Sequence, residues 1–287
     1  MEPEKGATSV RDALLTAIAP CIWGTTYIVT TQFLPADRPL TAAAIRVLPV
    51  GLIMLAALRV APKGHWWWRM VVLSLLNIGI FQALLFISAY RLPGGVAATV
   101  IAMQPLVVVM LSRPMLQILP TRLAWIVAVT GVIGVGFLVL SPAAKLDSAG
   151  IAAALAGAVC IAFGTVLTKR WVSPLPLAAF TAWQLVFGGM FLLPLALVFE
   201  EPLATLSAGN IAGYAYLGIF GTGLTYLIWF WGIRRLQASA VSILGLLSPM
   251  VATALGYLVL GQSLSALQMV GGALVLWSVW AGQRQAV

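Results

Sequence analysis

Apolar stretches of about 20 residues alternate along this chain with short polar or proline-containing connections, such as "LPADRP" (34–39) and "APKGHWWWR" (61–69). An apolar helix of about 20 residues is long enough to cross the hydrocarbon core of a bilayer. The pattern therefore predicts an all-α integral membrane protein with ten transmembrane helices, at residues 12–33, 40–60, 68–89, 94–113, 121–140, 149–169, 177–199, 209–231, 238–260 and 265–283.

The composition agrees with a membrane protein. Of the 287 residues, 62% are hydrophobic and only 8% are charged, whereas soluble domains average about 25% charged residues. The net charge of +9 could suit a nucleic acid, but no basic face or base-stacking motif accompanies it, so no nucleic-acid partner is expected. Basic residues of a membrane protein more often mark cytoplasmic loops. The lipid bilayer is the expected surrounding.

The distribution of Lys and Arg predicts the orientation. With the N-terminus in the cytoplasm, 12 of these residues fall in cytoplasmic segments, 3 fall in external ones, and Arg46 lies inside the second apolar stretch. This asymmetry predicts that both termini are cytoplasmic. The polar start "MEPEKGATSVRD" lacks a cleavage site, so the first apolar stretch is expected to remain as a membrane span.

An internal repeat is visible at an offset near 140 residues. The triplet "WGT" (23–25) corresponds to "FGT" (163–165), and Arg46 corresponds to Gln184. Two repeats are therefore predicted, residues 1–146 with spans 1–5 and residues 147–287 with spans 6–10. Because five is an odd number, the second repeat is inverted in the membrane, which is typical of transporters that work by alternating access.

The repeated motifs resemble those of a known family. They are "IWGTTY" (22–27), Arg46, "ISAYRLPGGVAATVIAMQPLVVVM" (87–110), and the echoes "AFGT" (162–165) and "FWGIRRLQASAVSILGLLSPMVATAL" (230–255). The chain resembles the drug/metabolite transporter superfamily, in the ten-span form with two EamA-like repeats, and is most similar to bacterial aromatic amino-acid exporters. The resemblance implies a secondary transporter of the bacterial inner membrane, with a central cavity for a small amphipathic substrate.

Arg46 is the one full charge deep inside a predicted span. A charge in the membrane interior is unfavourable, so such residues usually face the bundle interior and serve function. One interpretation is that Arg46 recognises a substrate carboxylate. The alternative is that it pairs with helix carbonyls and Gln184 where the two repeats meet. The sequence leaves both open.

Other candidates are polar or aromatic residues within spans, because small-molecule sites are apolar cavities with a few polar groups. With Arg46, the predicted cavity residues are Trp23, Thr25, Tyr27, Asn77, Gln82, Gln104, Phe163, Thr165, Gln184, Tyr226 and Trp229. Glycines allow close helix approach and prolines interrupt helices. The predicted hinge or gating residues are Gly24, Gly79, Pro105, Gly164, Gly223 and Pro249.

Several functions are disfavoured by what the spans lack. All seven Asp and Glu residues lie in termini or connections, and the single histidine, His65, lies in a predicted loop. A carboxylate proton relay is therefore unsupported, and an uncoupled facilitator fits better. An enzyme would need a nucleophile and base or metal ligands, so no catalytic residue, metal or cofactor is expected. A carrier of another solute, such as a purine, a sugar or a drug-like compound, remains the alternative.

Overall fold

A computed structural model shows helices wherever the apolar stretches predict them. It describes residues 5–36, 38–92, 94–139, 147–203, 205–261 and 264–284, and no strand occurs among them. The first half contains α1 (Lys5–Phe33), α2 (Pro39–Leu58), α3 (Trp66–Ser74), α4 (Ile80–Arg91), α5 (Gly94–Ile101), α6 (Gln104–Leu116) and α7 (Arg122–Val139). The second half contains α8 (Ser148–Arg170), α9 (Leu177–Phe199), α10 (Ala208–Gly218), α11 (Thr225–Arg235), α12 (Ala238–Leu244), α13 (Leu247–Leu260) and α14 (Ala266–Arg284).

Two of the predicted spans contain a wide helical turn. A π-helical segment, π1 (Leu75–Gly79), joins α3 to α4, and a second, π2 (Ile219–Leu224), joins α10 to α11. Single π-turns inside helices are frequent at functional sites, because they leave backbone groups outside the regular hydrogen-bond pattern. The two segments start 144 residues apart, so they occupy corresponding places in the two halves.

Two further spans are broken in the middle. One rod is divided between α5 and α6 at residues 102–103, and its counterpart between α12 and α13 at residues 245–246. Pro105 and Pro249 lie just beyond these breaks. Because proline has no backbone N–H, neither can donate to the carbonyl four residues earlier. The predicted hinge prolines therefore coincide with real interruptions. Whether they act as hinges stays a prediction.

The helix ends have local causes. Asp147 precedes α8 and its side chain accepts the Gly150 N–H at 2.6 Å. Ser207 and Asn210 form a capping box at the start of α10. The start of α2 is capped from another helix, because the Glu200 carboxylate at the end of α9 accepts the N–H groups of Leu40 and Thr41 at 2.7 and 2.8 Å.

The main contacts between helices occur in corresponding pairs in the two halves. The helix α1 packs against α11 and α13, and α8 packs against α4 and α6, while α2 packs against α9 and α7 against α14. Each helix of the first half corresponds to the helix seven numbers higher in the second half, so that α1 corresponds to α8. When corresponding helices are exchanged, the same list of contacts results. Such invariance is what a pseudo-two-fold axis between two inverted repeats produces.

Nine helices of the described residues are long and apolar enough to cross a membrane, judged by length and composition alone. The all-α membrane fold is thus confirmed, whereas the number ten is only partly supported. The tenth predicted span coincides with α14, which is not among the nine and carries Gln268, Gln283 and Arg284 near its ends. The ends of the helical rods agree with the predicted ends to within four residues, except that α1 begins already at Lys5.

Candidate binding cavity

A cavity of about 280 Å³ lies within the bundle and is lined by residues of α1, α2, π1, α4, α5, α6, α8, α11, α12 and α13. On α1 its lining begins at Trp23 and continues to Thr30 and Thr31, close to the end of that helix at Phe33. On α4 and α5 it reaches Phe86 and Ala97. The cavity therefore runs from the middle of the bundle to the end where α1 finishes and α5 starts, which we call the open end.

The opposite end, where α1 starts and α11 finishes, is sealed by polar contacts, and we call it the closed end. Arg235 lies 3.3 Å from the Asp12 carboxylate. Lys169 donates to the carbonyl oxygens of Arg234 and Leu236 at 3.0 and 2.8 Å. The Phe180 and Phe230 rings meet edge to face at 5.4 Å, just inside these contacts. Among the described residues, the lining of the cavity thus extends towards the open end, while these contacts join the helices at the closed end.

Arg46 borders the cavity and is held by the π2 turn. Its Nε donates to Thr222 Oγ1 at 3.0 Å and its Nη2 donates to the Gly221 carbonyl at 2.8 Å. The residue is only 5% exposed, and no carboxylate pairs with it among the described residues. A guanidinium at membrane depth is unfavourable by about 3 kcal/mol even on an insertion scale. The site therefore holds a positive charge that a bound anion would compensate.

Aromatic rings form the wall next to Arg46. The Trp23 ring lies 5.5 Å from the Tyr226 ring and 5.1 Å from the Trp229 ring. Trp23 Nε1 donates to the Gly221 carbonyl at 3.2 Å and to Thr225 Oγ1 at 3.0 Å. The π2 turn thus positions both the charged group and the central indole of the cavity.

The remaining polar groups of the cavity are amides and hydroxyls. Gln82 Nε2 donates to the Tyr226 hydroxyl at 3.2 Å, while Gln82 Oε1 and Thr26 Oγ1 have no partner among the described residues. A buried polar atom without a partner is unfavourable by about 1–3 kcal/mol. These two oxygens are therefore candidate acceptors for hydrogen bonds from a bound molecule.

A second polar cluster lies beside the cavity, on the π1 turn. Asn77 Nδ2 donates to Thr168 Oγ1 at 3.1 Å and to Gln184 Oε1 at 2.8 Å. Asn77 borders the cavity, but Gln184 is fully buried behind it. Gln184 Nε2 has no partner among the residues that the structure describes.

The structure brings many, but not all, of the predicted residues to the cavity. Its lining includes Trp23, Arg46, Asn77, Gln82, Gln104, Tyr226 and Trp229, together with Pro105 and Pro249. Thr25, Phe163, Thr165 and Gln184 are not among the lining residues. Thr25 instead shares a 2.8 Å hydrogen bond with the Tyr216 hydroxyl. The side chain of Tyr27 lies outside the described part of the chain.

The expectation that Trp23 and Phe163 both line the cavity is wrong for Phe163. The α8 residue at the cavity is Ile161, and residues two apart on a helix point in nearly opposite directions. Thr165 donates to the Ile161 carbonyl at 2.9 Å and accepts from Gln104 at 3.4 Å. Trp23 and Phe163 therefore correspond in the sequence repeat, but their side chains do not occupy corresponding places around the cavity.

The predicted glycines are sites of close packing or irregular backbone. A Cβ on Gly24 would lie 2.7 Å from Val251 Cβ, and one on Gly164 would overlap the Asn77 side chain. Gly79 and Gly223 lie in the π1 and π2 turns.

The sequence did not identify the Gly221 carbonyl as a hydrogen-bond acceptor for Arg46 and Trp23. The "GTG" sequence at 221–223, unusual inside an apolar helix, is the signal that could have indicated it.

An apolar cavity with a few polar groups, set among membrane helices and extending towards one end of the bundle, is the form that a solute site takes in a membrane transporter. The sequence model of the EamA-like transporter family matches residues 11–140 and again 148–281. The chain belongs to this family, which confirms the resemblance of its motifs to those of EamA-like transporters.

Individual relatives agree with this assignment. The chain is 48% identical over 256 residues to Protein PecM of Dickeya dadantii, with 88% of this chain and 86% of PecM covered. It is 25% identical over 268 residues to the uncharacterized inner membrane transporter YedA of Escherichia coli, with 90% and 86% covered. A solved crystal structure with 19% identity and a TM-score of 0.83 covers 96% of this chain and 98% of the other, which shows a shared fold.

Proposed function

We propose that this transporter exports small amphipathic metabolites, above all aromatic or other neutral amino acids, across the bacterial inner membrane by alternating access. The observation that carries the proposal is Arg46, a buried guanidinium at the edge of an aromatic cavity, with no carboxylate partner among the described residues. A substrate carboxylate would compensate this charge, because guanidinium and carboxylate form strong charge-assisted hydrogen bonds.

The rest of the cavity suits the other parts of such a substrate. A volume of about 280 Å³ lies just below the usual range for sites of drug-sized ligands, which fits a solute of amino-acid size. The rings of Trp23, Tyr226 and Trp229 provide an apolar wall. Gln82 Oε1 and Thr26 Oγ1 could accept hydrogen bonds from an ammonium group.

Alternating access requires two similar halves, and we propose residues 1–146 and 147–287 as the two repeats. The two matches of the family model, at 11–140 and 148–281, and the corresponding main helix contacts of the two halves support this division. The proposed boundary falls beside residues 140–146, which lie outside the described part of the chain.

We also propose that both termini are cytoplasmic, from the 12 to 3 distribution of Lys and Arg. In this orientation the open end faces the periplasm and the closed end faces the cytoplasm. The similarity to YedA, an uncharacterized inner membrane transporter of Escherichia coli, supports the inner membrane. Transport is proposed to run down the substrate gradient, since none of the described cavity residues is acidic.

Substrate analogues test the proposal directly. Purified protein in liposomes would be assayed for flux of labelled phenylalanine, of phenylpropanoate, which lacks the ammonium group, and of phenethylamine, which lacks the carboxylate. We expect phenylalanine and phenylpropanoate to be transported without a proton gradient, and phenethylamine to be transported at least about tenfold more slowly.

Adenosine and glucose serve as controls for other solute classes. Transport of either of them without transport of any carboxylate would overturn the amino-acid proposal. Equal rates for phenethylamine and phenylalanine would overturn the role of Arg46. A requirement for a proton gradient with a downhill substrate gradient would contradict uncoupled transport.

A further inference from the structure

Gln184 holds the position in the second half that Arg46 holds in the first. Each residue lies seven positions after the first residue of its helix, Pro39 in α2 and Leu177 in α9. Each side chain contacts the π-turn of the opposite half, since Arg46 binds Gly221 and Thr222 in π2 and Gln184 binds Asn77 in π1. The two contacts are related by the exchange of the halves.

The two residues lie at different depths. The helix α2 starts at the open end and α9 starts at the closed end, so seven residues correspond to about 10 Å from opposite ends of the bundle. The cavity extends to the open end, which explains why it reaches Arg46 and not Gln184. A cavity of the same shape that opened at the closed end would reach Gln184 by the same geometry.

The Gln184 side chain is also incompletely bonded in this structure. Its Oε1 accepts from Asn77, but its Nε2 is buried without a partner in the described part of the chain. Leaving a buried amide donor unpaired is unfavourable, whereas an apolar side chain of the same shape would avoid the penalty. The free donor is explained if another state of the protein uses it.

Resting on the proposed function, we propose that Gln184 Nε2 is a second, neutral subsite for the substrate carboxylate, exposed when the cavity opens to the cytoplasm. In that state the N–H donates to a carboxylate oxygen of an amphipathic amino acid. Cytoplasmic loading then uses Gln184. Release to the periplasm uses Arg46 alone, because the cavity no longer reaches Gln184.

The decisive variant is Gln184→Met, which keeps the length of the side chain and removes its donor. KM and Vmax for phenylalanine would be measured in inverted membrane vesicles and in right-side-out vesicles. We expect the ratio of the cytoplasmic to the periplasmic KM to rise about tenfold, the effect of one hydrogen bond to a charged group. The Vmax ratio must rise equally, because an uncoupled carrier has no net flux at equal concentrations on both sides and therefore has the same Vmax/KM from each side.

Thr168→Val is the matched control. It removes the other acceptor of Asn77 Nδ2 and leaves the Gln184 donor intact, so we expect the KM ratio to stay within about twofold of wild type. An equal shift in both variants would mean that Gln184 acts only through Asn77 and would overturn the subsite. An unchanged ratio in Gln184→Met would overturn it as well. Neither result would affect the analogue test of the proposed function.

Thiol labelling provides a test that does not depend on transport rates. Gln184→Cys would be made with the two free cysteines replaced, Cys21→Ala and Cys160→Ala, and treated with a membrane-impermeant thiol reagent. We expect labelling from the cytoplasmic side and none from the periplasmic side. Labelling from the periplasmic side, or from neither side in a correctly inserted protein, would overturn the inference.

Discussion

The two π-turns of this protein have the same place in their halves and different chemistry. The π2 turn supplies the Gly221 carbonyl and the Thr222 hydroxyl, both of which bind the charged side chain of Arg46. The π1 turn supplies Asn77, which binds the neutral side chain of Gln184. Arg46 borders the cavity, whereas Gln184 does not. The pseudo-symmetry therefore repeats the backbone irregularity without repeating the charge.

A symmetric scaffold can in this way bind an asymmetric solute. Two similar halves allow inward-open and outward-open states of similar energy. A charge in one half only gives the cavity a positive side, so a bound amphipath would be oriented with its anionic group towards α2. The following experiments either remove this difference between the halves or measure how much depends on it.

Replacing the charge should have the largest effect. Arg46→Gln makes the first half resemble the second, and we expect the Vmax/KM of phenylalanine transport to fall about 30-fold or more, which corresponds to about 2 kcal/mol for a lost charge-assisted contact. Flux in liposomes, normalised to inserted protein, is the measurement. Arg46→Lys, which keeps the charge, should recover part of the activity. Unchanged flux in Arg46→Gln would contradict the proposed role.

Removing the Trp23 indole, which π2 holds, should have the second largest effect on transport. Trp23→Ala removes the bonds to Gly221 and Thr225 and part of the aromatic wall, so we expect transport to fall about tenfold with normal membrane insertion. Trp125→Ala is the control, because Trp125 lies exposed on α7, away from the cavity, and should retain flux within about twofold. Wild-type flux in Trp23→Ala would contradict a cavity role.

Substitutions at the two corresponding helix breaks, one in each half, should have smaller effects on transport, and the two effects should be similar in size. Pro105→Ala or Pro249→Ala restores a backbone donor next to each break, so we expect slower conformational exchange and about three- to fivefold lower Vmax. Substrate affinity, measured by tryptophan quenching, should change little. Pro114→Ala in the same helix as Pro105, away from the cavity lining, is the control. An effect of only one of the two variants would show that the halves bend unequally.

The ion pairs at the two ends should have the smallest effects. Asp12→Asn removes the contact with Arg235 at the closed end, and Glu201→Gln removes the contact with Arg38 at the open end. Both pairs are partly exposed, so each change is expected to shift the balance of states by about two- to fivefold. Labelling of Gln184→Cys from the cytoplasmic side should rise with Asp12→Asn. Equal labelling with and without Asp12→Asn would show that this pair does not stabilise the closed end.

Much of the fold could be predicted because its determinants are local. Apolar length marks the spans and prolines and charges mark their ends, so the helical rods lie where the hydropathy pattern indicates them. The breaks before Pro105 and Pro249 follow from the missing N–H. The π-turns were not predicted, since the glycines within them indicate close packing as readily as an irregular turn.

The cavity was predicted less completely, for a physical reason. In a helix of a soluble protein, the polar face is exposed to water and the apolar face is buried, so the sequence shows which face is buried. A membrane span is apolar on its lipid-facing side as well. Nothing in "VCIAFGTVLT" (159–168) tells that Ile161 faces the cavity while Phe163 does not. Polar residues such as Gln82 and Asn77 were easier to assign, because a polar group in a span must face a partner or a cavity.

A helical membrane protein of repeated design, with one charge deep in a span, follows from the sequence alone, because hydropathy and the distribution of basic residues are properties of the linear chain. The positions of two side chains follow only from the folded structure: Arg46 binds π2 and borders the cavity, while Gln184 binds π1 and lies behind it. Hydrogen bonds between distant helices depend on the rotation and depth of each helix. When a helix is apolar on all sides, its sequence does not show its rotation or its depth, and packing against the other helices sets both.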